Sequence, residues 1–162
     1  MEFWAVQFWR VFAIGGAILG VVCLSGWPLL RDRFRRKFVL QARDRFHLRR
    51  EWLEARFLTL AEQSGKPRGL RWANCEFDDG VAFARERSTR RLRALVGVTI
   101  QFEAVVGGGM EEVEAVSNLR AATAIFRLDG SDWETDGRAY FNLSPTQTIE
   151  HYRQELETVD DL

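Results

Sequence analysis

Side chains able to move a proton are present but scattered along the chain. Asp78 and Asp79 stand together before Gly80, a pattern that turns favour because Asp side chains bond nearby backbone groups. Asp136 precedes Gly137 in a strand-like region and reads as a bulge. His151 lies beside Tyr152 near the C-terminus, far along the chain from His47. An acyl-transfer triad, a carboxylate dyad or a metal centre needs such groups in a recognisable order and spacing. No Ser/His/Asp order, paired carboxylate or metal-ligand spacing stands out. Cys75 reads as a small core residue, and Cys23 falls in an apolar run, so the two give no disulfide framework. Gly107-Gly108-Gly109 would need a following Lys-Ser/Thr and a helix to cradle phosphate. Met110-Glu111-Glu112 follows instead, and its acids repel phosphate. No metal, nucleotide or other cofactor is expected, and the chain leans away from catalysis.

The elements that must position these residues begin with a charge-free run from Val11 to Leu30. Roughly 20 apolar residues span about 30 Å of hydrocarbon as a helix, so this run is expected to be a transmembrane anchor. Trp4, Trp9 and Arg10 would then lie at one interface and Trp27 near the other, where Pro28 bends or ends the helix. The next twenty residues carry nine Lys/Arg, beginning with Arg31, Arg33, Arg35, Arg36 and Lys37. The positive-inside rule puts the body of the chain on the cytoplasmic side. The same cluster should attract anionic headgroups, at about 1 kcal/mol per basic residue. A cleaved signal peptide fits less well, because positive charge is sparse before the run and no small-x-small site follows it. Gly16 and Gly20 form a small-xxx-small pair that lets helices approach closely, for a homo-oligomer or another membrane protein.

The chain has 162 residues and zero formal net charge, unevenly spread. Residues 31–50 are basic, while Glu150, Glu155, Glu157, Asp160 and Asp161 make the end acidic. The balanced total argues against nucleic-acid binding.

From Arg31 to Gln63 the apolar residues Phe34, Phe38, Ala42, Phe46, Leu53, Phe57 and Leu60 recur at helical steps. Phe34, Phe38 and Phe46 are candidates for contact with a partner. Ser64-Gly65-Lys66-Pro67 should stop this helix. Strands are expected over Leu70 to Phe77, Val81 to Glu86 and Leu92 to Ala104, the last with thirteen residues of period two. Val113 to Leu128 and Trp133 to Leu143 should follow as a hairpin around Asp129-Gly130. Ser144-Pro145-Thr146-Gln147 spells a capping box with Pro at the first helical position. Ile149, Tyr152, Leu156 and Val159 would give the closing helix one apolar face. Arg85, Arg87, Arg90, Arg91 and Arg93 cluster at one hairpin, either as edge protection or as a second contact with an acidic surface. Trp72 and Trp133 read as core anchors.

The expected fold class is therefore α+β. It comprises an N-terminal transmembrane helix, a long amphipathic helix, a four- or five-stranded antiparallel meander and a C-terminal helix. Residues 1–30 would be the anchor, 31–64 the basic helix and 65–162 the α+β domain.

The helix-then-meander order, with Ala124-Ile-Phe-Arg-Leu-Asp-Gly-Ser-Asp-Trp133, resembles the cystatin-like and nuclear-transport-factor-2-like superfamily over residues 50–143. In an enzyme of that kind, the resemblance implies an acid/base pair inside the cone of the sheet, drawn from Asp78, Asp79, Glu103, Asp136 and His151. The chain departs from the pattern in its helix after the last strand. As a whole it looks like short single-pass membrane proteins of bacteria, a resemblance that implies no activity. The expected function is a membrane-anchored accessory or scaffold subunit presenting a cytoplasmic domain for protein–protein interaction. The alternative is a tethered small-ligand-binding domain or enzyme.

Overall fold

A computed structural model describes the backbone of residues 3–64 and 69–159, with side chains from residue 33 onward except 64, 115 and 117. Helix α1 runs Phe3–Ser64. Strands β1 (Leu70–Glu86), β2 (Leu92–Ala104) and β3 (Arg120–Asp129) follow, then short β4 (Asp132–Glu134) and β5 (Ala139–Phe141). Helix α2 (Pro145–His151) and β6 (Leu156–Thr158) close the chain. Two compact units divide it, Met1–Arg43 and Asp44–Leu162.

The expected transmembrane helix requires correction. Among the described residues, no helix is long and apolar enough to cross a membrane. Between residues 33 and 64, α1 carries charge in nearly every turn, and α2 has seven residues, against the roughly 20 apolar ones a span needs. The side chains of Trp4, Trp9, Arg10, Gly16, Gly20, Trp27 and Arg31 lie outside the described residues. In the first unit, Arg33, Phe34, Arg35, Arg36, Lys37 and Phe38 are exposed, while Val39 and Ala42 are buried.

The second unit is one antiparallel sheet of six strands, not four or five, ordered β4-β3-β2-β1-β6, with β5 also beside β3. Even-numbered residues of β2, from Leu92 to Phe102, face one side and are buried. The second half of α1 contributes Phe46, Leu53 and Phe57, each fully buried. Phe46 meets Phe126, Trp133 and Phe83 edge-on at 5.4, 5.1 and 5.9 Å between ring centres. Phe57 meets Phe77 at 5.8 Å and Phe126 at 6.0 Å. Edge-to-face pairs at these separations add to area burial. On the opposite face, Ala84 and Leu95 pack with Ile149 and Leu156, flanked by Ala82 and Tyr152.

Several element boundaries differ from expectation. β1 continues through Asp78-Asp79-Gly80, which form an irregularity between the Phe77–Val98 and Val81–Val96 pairs instead of ending the strand. The segment expected to open β3 contains a 3₁₀ turn, Glu114–Ser117. The returning strand breaks into β4 and β5 around Gly137, whose φ of +74° no strand residue adopts. The capping box forms as read, Ser144 and Gln147 bonding reciprocally. The closing helix does not persist to Val159. After His151 the chain turns, and Leu156–Thr158 pairs with Glu86, Arg85 and Ala84 of β1. Pairing there satisfies backbone groups that a surface helix would leave on the β1 edge.

Candidate interaction surface

The carboxylates and histidine open to acid–base chemistry stand on separate elements. Asp78 and Asp79 are exposed on β1. Glu103 accepts from Arg71 at 2.6 Å on the solvent side of the sheet. Asp136 lies 3.5 Å from Arg138 and 3.8 Å from Arg127. His151 is exposed and stacks edge-on against Tyr152. No acid faces a base across a shared cavity among these residues. Among the described residues, no group of three His, Cys, Asp or Glu is placed to hold a metal.

A cleft of about 30 Å³ opens between the sheet and the segment that follows α2, lined by Glu86, Arg93, Leu95, Ile125, Tyr140 and Tyr152 among others. That is room for about one water. Tyr140 and Tyr152 stack at 4.6 Å there, and burial raises the Tyr140 hydroxyl above the usual phenol range. Glu86 is held below the usual carboxylate range, first by the Thr89 hydroxyl and then by Arg93.

The arginine-rich hairpin is occupied internally. Glu157 of β6 receives Arg90 at 2.8 Å, Arg87 at 3.4 Å and Arg85 at 3.8 Å. Arg93 pairs with Glu86 at 2.8 Å and Arg91 with Asp129 at 3.5 Å. These cations fasten β6 and the β1–β2 turn, so the second acidic contact has little free charge to offer. The triple glycine is likewise structural. Gly69 and Gly108 cross so closely that a Cβ on Gly108 would fall 2.6 Å from the Gly69 Cα. Gly107 N–H donates to the Glu111 carboxylate. Trp133 is fully buried, as expected for a core anchor. Trp72 is half-buried against Phe57 and Phe102.

Large apolar side chains stand in water on each unit. In the first, Phe34 is 71% exposed and Phe38 45%; in the second, Leu48 is 85% exposed and Trp52 59%. Phe34 and Phe38 are surface residues, interleaved with Arg33, Arg35, Arg36 and Lys37. Phe46 is not; it lies at the centre of the aromatic core and offers nothing outward. Leu48 and Trp52 lie off the helical stripe that runs through Phe46 and Leu53, about 140° away at 100° per residue, so the periodicity of that stripe does not point to them. Their spacing of four residues was the signal available.

No family model, no curated protein and no solved structure matches the chain.

Proposed function

We propose that the chain is a membrane-associated accessory or scaffold subunit whose basic helix and small α+β domain bind another protein on the cytoplasmic side. One contrast carries this reading. The space between α1 and the sheet is filled by Phe46, Phe57, Phe126 and Trp133, while large apolar side chains on the same helix stand in water. A ligand-binding or catalytic domain of the cystatin-like or nuclear-transport-factor-2-like kind would use that space as its pocket. Exposed apolar residues rimmed by charge suit a protein contact instead. Four cations around Phe34 and Phe38 also suit anionic headgroups, which supports a working place beside a bilayer.

The test is purification of the full chain from membranes in mild detergent, with mass spectrometry of what co-elutes. A second polypeptide should appear, and Phe34→Glu with Phe38→Glu should reduce its yield at least tenfold. The chain eluting without another polypeptide, or the same yield from the double variant, would overturn the proposal.

A further inference from the structure

We infer that the outward stripe of α1 at Arg45, Leu48, Trp52, Ala55 and Thr59 receives the same stripe of a second copy of this chain, the two helices lying parallel and in register. This goes beyond the binding of another protein and does not depend on it. The steps between these residues are three, four, three and four. A seven-residue repeat keeps a seam facing a partner helix in a left-handed supercoil. The domain reaches this seam only at Arg45 and leaves Leu48, Trp52, Ala55 and Thr59 exposed, since Phe46, Leu53 and Phe57 point about 140° away from it. Leu48 and Trp52 are the two most exposed large apolar side chains of α1 in this unit. Arg45 donates to the Ser131 carbonyl at 3.1 Å, which draws its charged head aside from the seam.

Charge selects the occupant. Asp44 and Glu51 border one flank of the stripe, Arg49 and Arg56 the other. In a parallel pair, an acid on one helix meets the residue five positions on in its mate. Asp44 then faces Arg49 of the second copy, and Glu51 faces Arg56 of the second copy. An antiparallel pair sets acid against acid and arginine against arginine. An anionic lipid surface would meet Asp44 and Glu51 with the wrong sign. Only the parallel homodimer is self-complementary on both flanks at once. Arg49 also reaches Asp132 at 2.8 Å, both groups being more than half exposed, so it is available to a shared network.

The experiment uses the full chain in mild detergent with Cys23→Ser and Cys75→Ser, oxidised with copper phenanthroline. Leu48→Cys should give a disulfide-linked dimer, while His47→Cys, a hundred degrees round the helix, should stay monomeric. Glu51→Arg and Arg56→Glu should each lower the Leu48→Cys dimer several-fold, and the two together should restore it. That restoration separates lost pairing from lost folding. Equal linking at 47 and 48, no linking at 48, or failure of the double reversal to restore the dimer would overturn the inference. Co-elution of a second polypeptide bears only on the preceding proposal.

Discussion

The Arg50 guanidinium of α1 holds the carbonyl oxygen of Asp79 at 2.6 Å. The same group reaches the Asp78 carbonyl and, through Nε, the Glu54 carboxylate at 2.7 Å. Asp78 and Asp79 lie where β1 bulges away from β2, so their backbone has no ladder partner for part of its length. A planar fork of donors fits this task, supplying two carbonyls and an acid from one side chain.

Arg50→Ala should therefore destabilise the domain by about 1–2 kcal/mol, as charge-assisted hydrogen bonds from a half-buried guanidinium are lost. Arg50→Lys should recover less than half, because one ammonium cannot span the same three acceptors. Urea unfolding monitored by tryptophan fluorescence measures both. Equal stability of all three proteins would mean that the bulge holds itself.

Glu157 is the counterpart at the other end of β1. Glu157→Gln should cost about 2 kcal/mol, discounted because the carboxylate is a quarter exposed. Hydrogen exchange should quicken at Ala84 to Glu86, where β6 pairs. Unchanged exchange there would show that Leu156 and Val159 alone hold the strand.

The difference between these two sites bears on how far the chain can be read unaided. β2 announced itself because thirteen alternating residues admit one interpretation, and the Ser144–Gln147 capping box is a local bond pattern that needs nothing distant. β6 did not, because Leu156-Glu157-Thr158 is too short to carry a period and gains its partners from Arg85, Arg87 and Arg90, about seventy residues away. Asp78-Asp79-Gly80 has turn chemistry, and tertiary contact with Arg50 turned it into a bulge. Phe34 and Phe46 are joined by steps of four, each drifting about 40°, so they lie roughly 120° apart round the helix, and Phe46 is buried while Phe34 is exposed. Leu48 and Trp52 lie outside the stripe through Phe46, Leu53 and Phe57, and their four-residue spacing gains meaning once the covered side of the helix is known.

Acid should loosen the β1–β2 turn. Glu86 has a folded pKa below its ordinary value, mainly through Thr89. The unfolded chain then binds the proton more readily, so the contribution is present above about pH 4.5 and vanishes as pH falls through the folded value. Glu86→Gln should flatten stability against pH over that interval, measured by thermal melting from pH 2 to 7. A parallel downward offset at all pH values would exclude Glu86 as the source.

Cys75 should be chemically quiet. Burial, and secondarily the charge of Glu62, push its thiol up to about 12. Only the thiolate attacks alkylating agents, so iodoacetamide at pH 8 should react roughly 1000-fold more slowly than with a free thiol. In Cys23→Ser chain, mass spectrometry follows this directly, and Glu62→Gln should quicken the reaction only modestly. Rapid labelling at pH 8 would place the sulfur in open solvent.

Gly137 separates two costs that glycine substitutions usually mix. Its φ is +74°, and a Cβ there would fall 2.6 Å from the Ala61 nitrogen and 2.8 Å from Leu60. Gly109 has the same φ of +74° with nothing within 4 Å. Gly109→Ala should thus cost only the left-handed backbone penalty, about 1–2 kcal/mol. Gly137→Ala adds overpacking against α1, about 1–3 kcal/mol more. The Thr135 hydroxyl donates to the Ile125 carbonyl at 3.0 Å and accepts from Gly137 N–H at 3.1 Å, which leaves the segment little room to retreat. Urea unfolding of the two variants gives the comparison. If both lose the same stability, the end of α1 yields freely at Ala61, and the break between β4 and β5 is set by the backbone of Gly137 alone, without the helix against it.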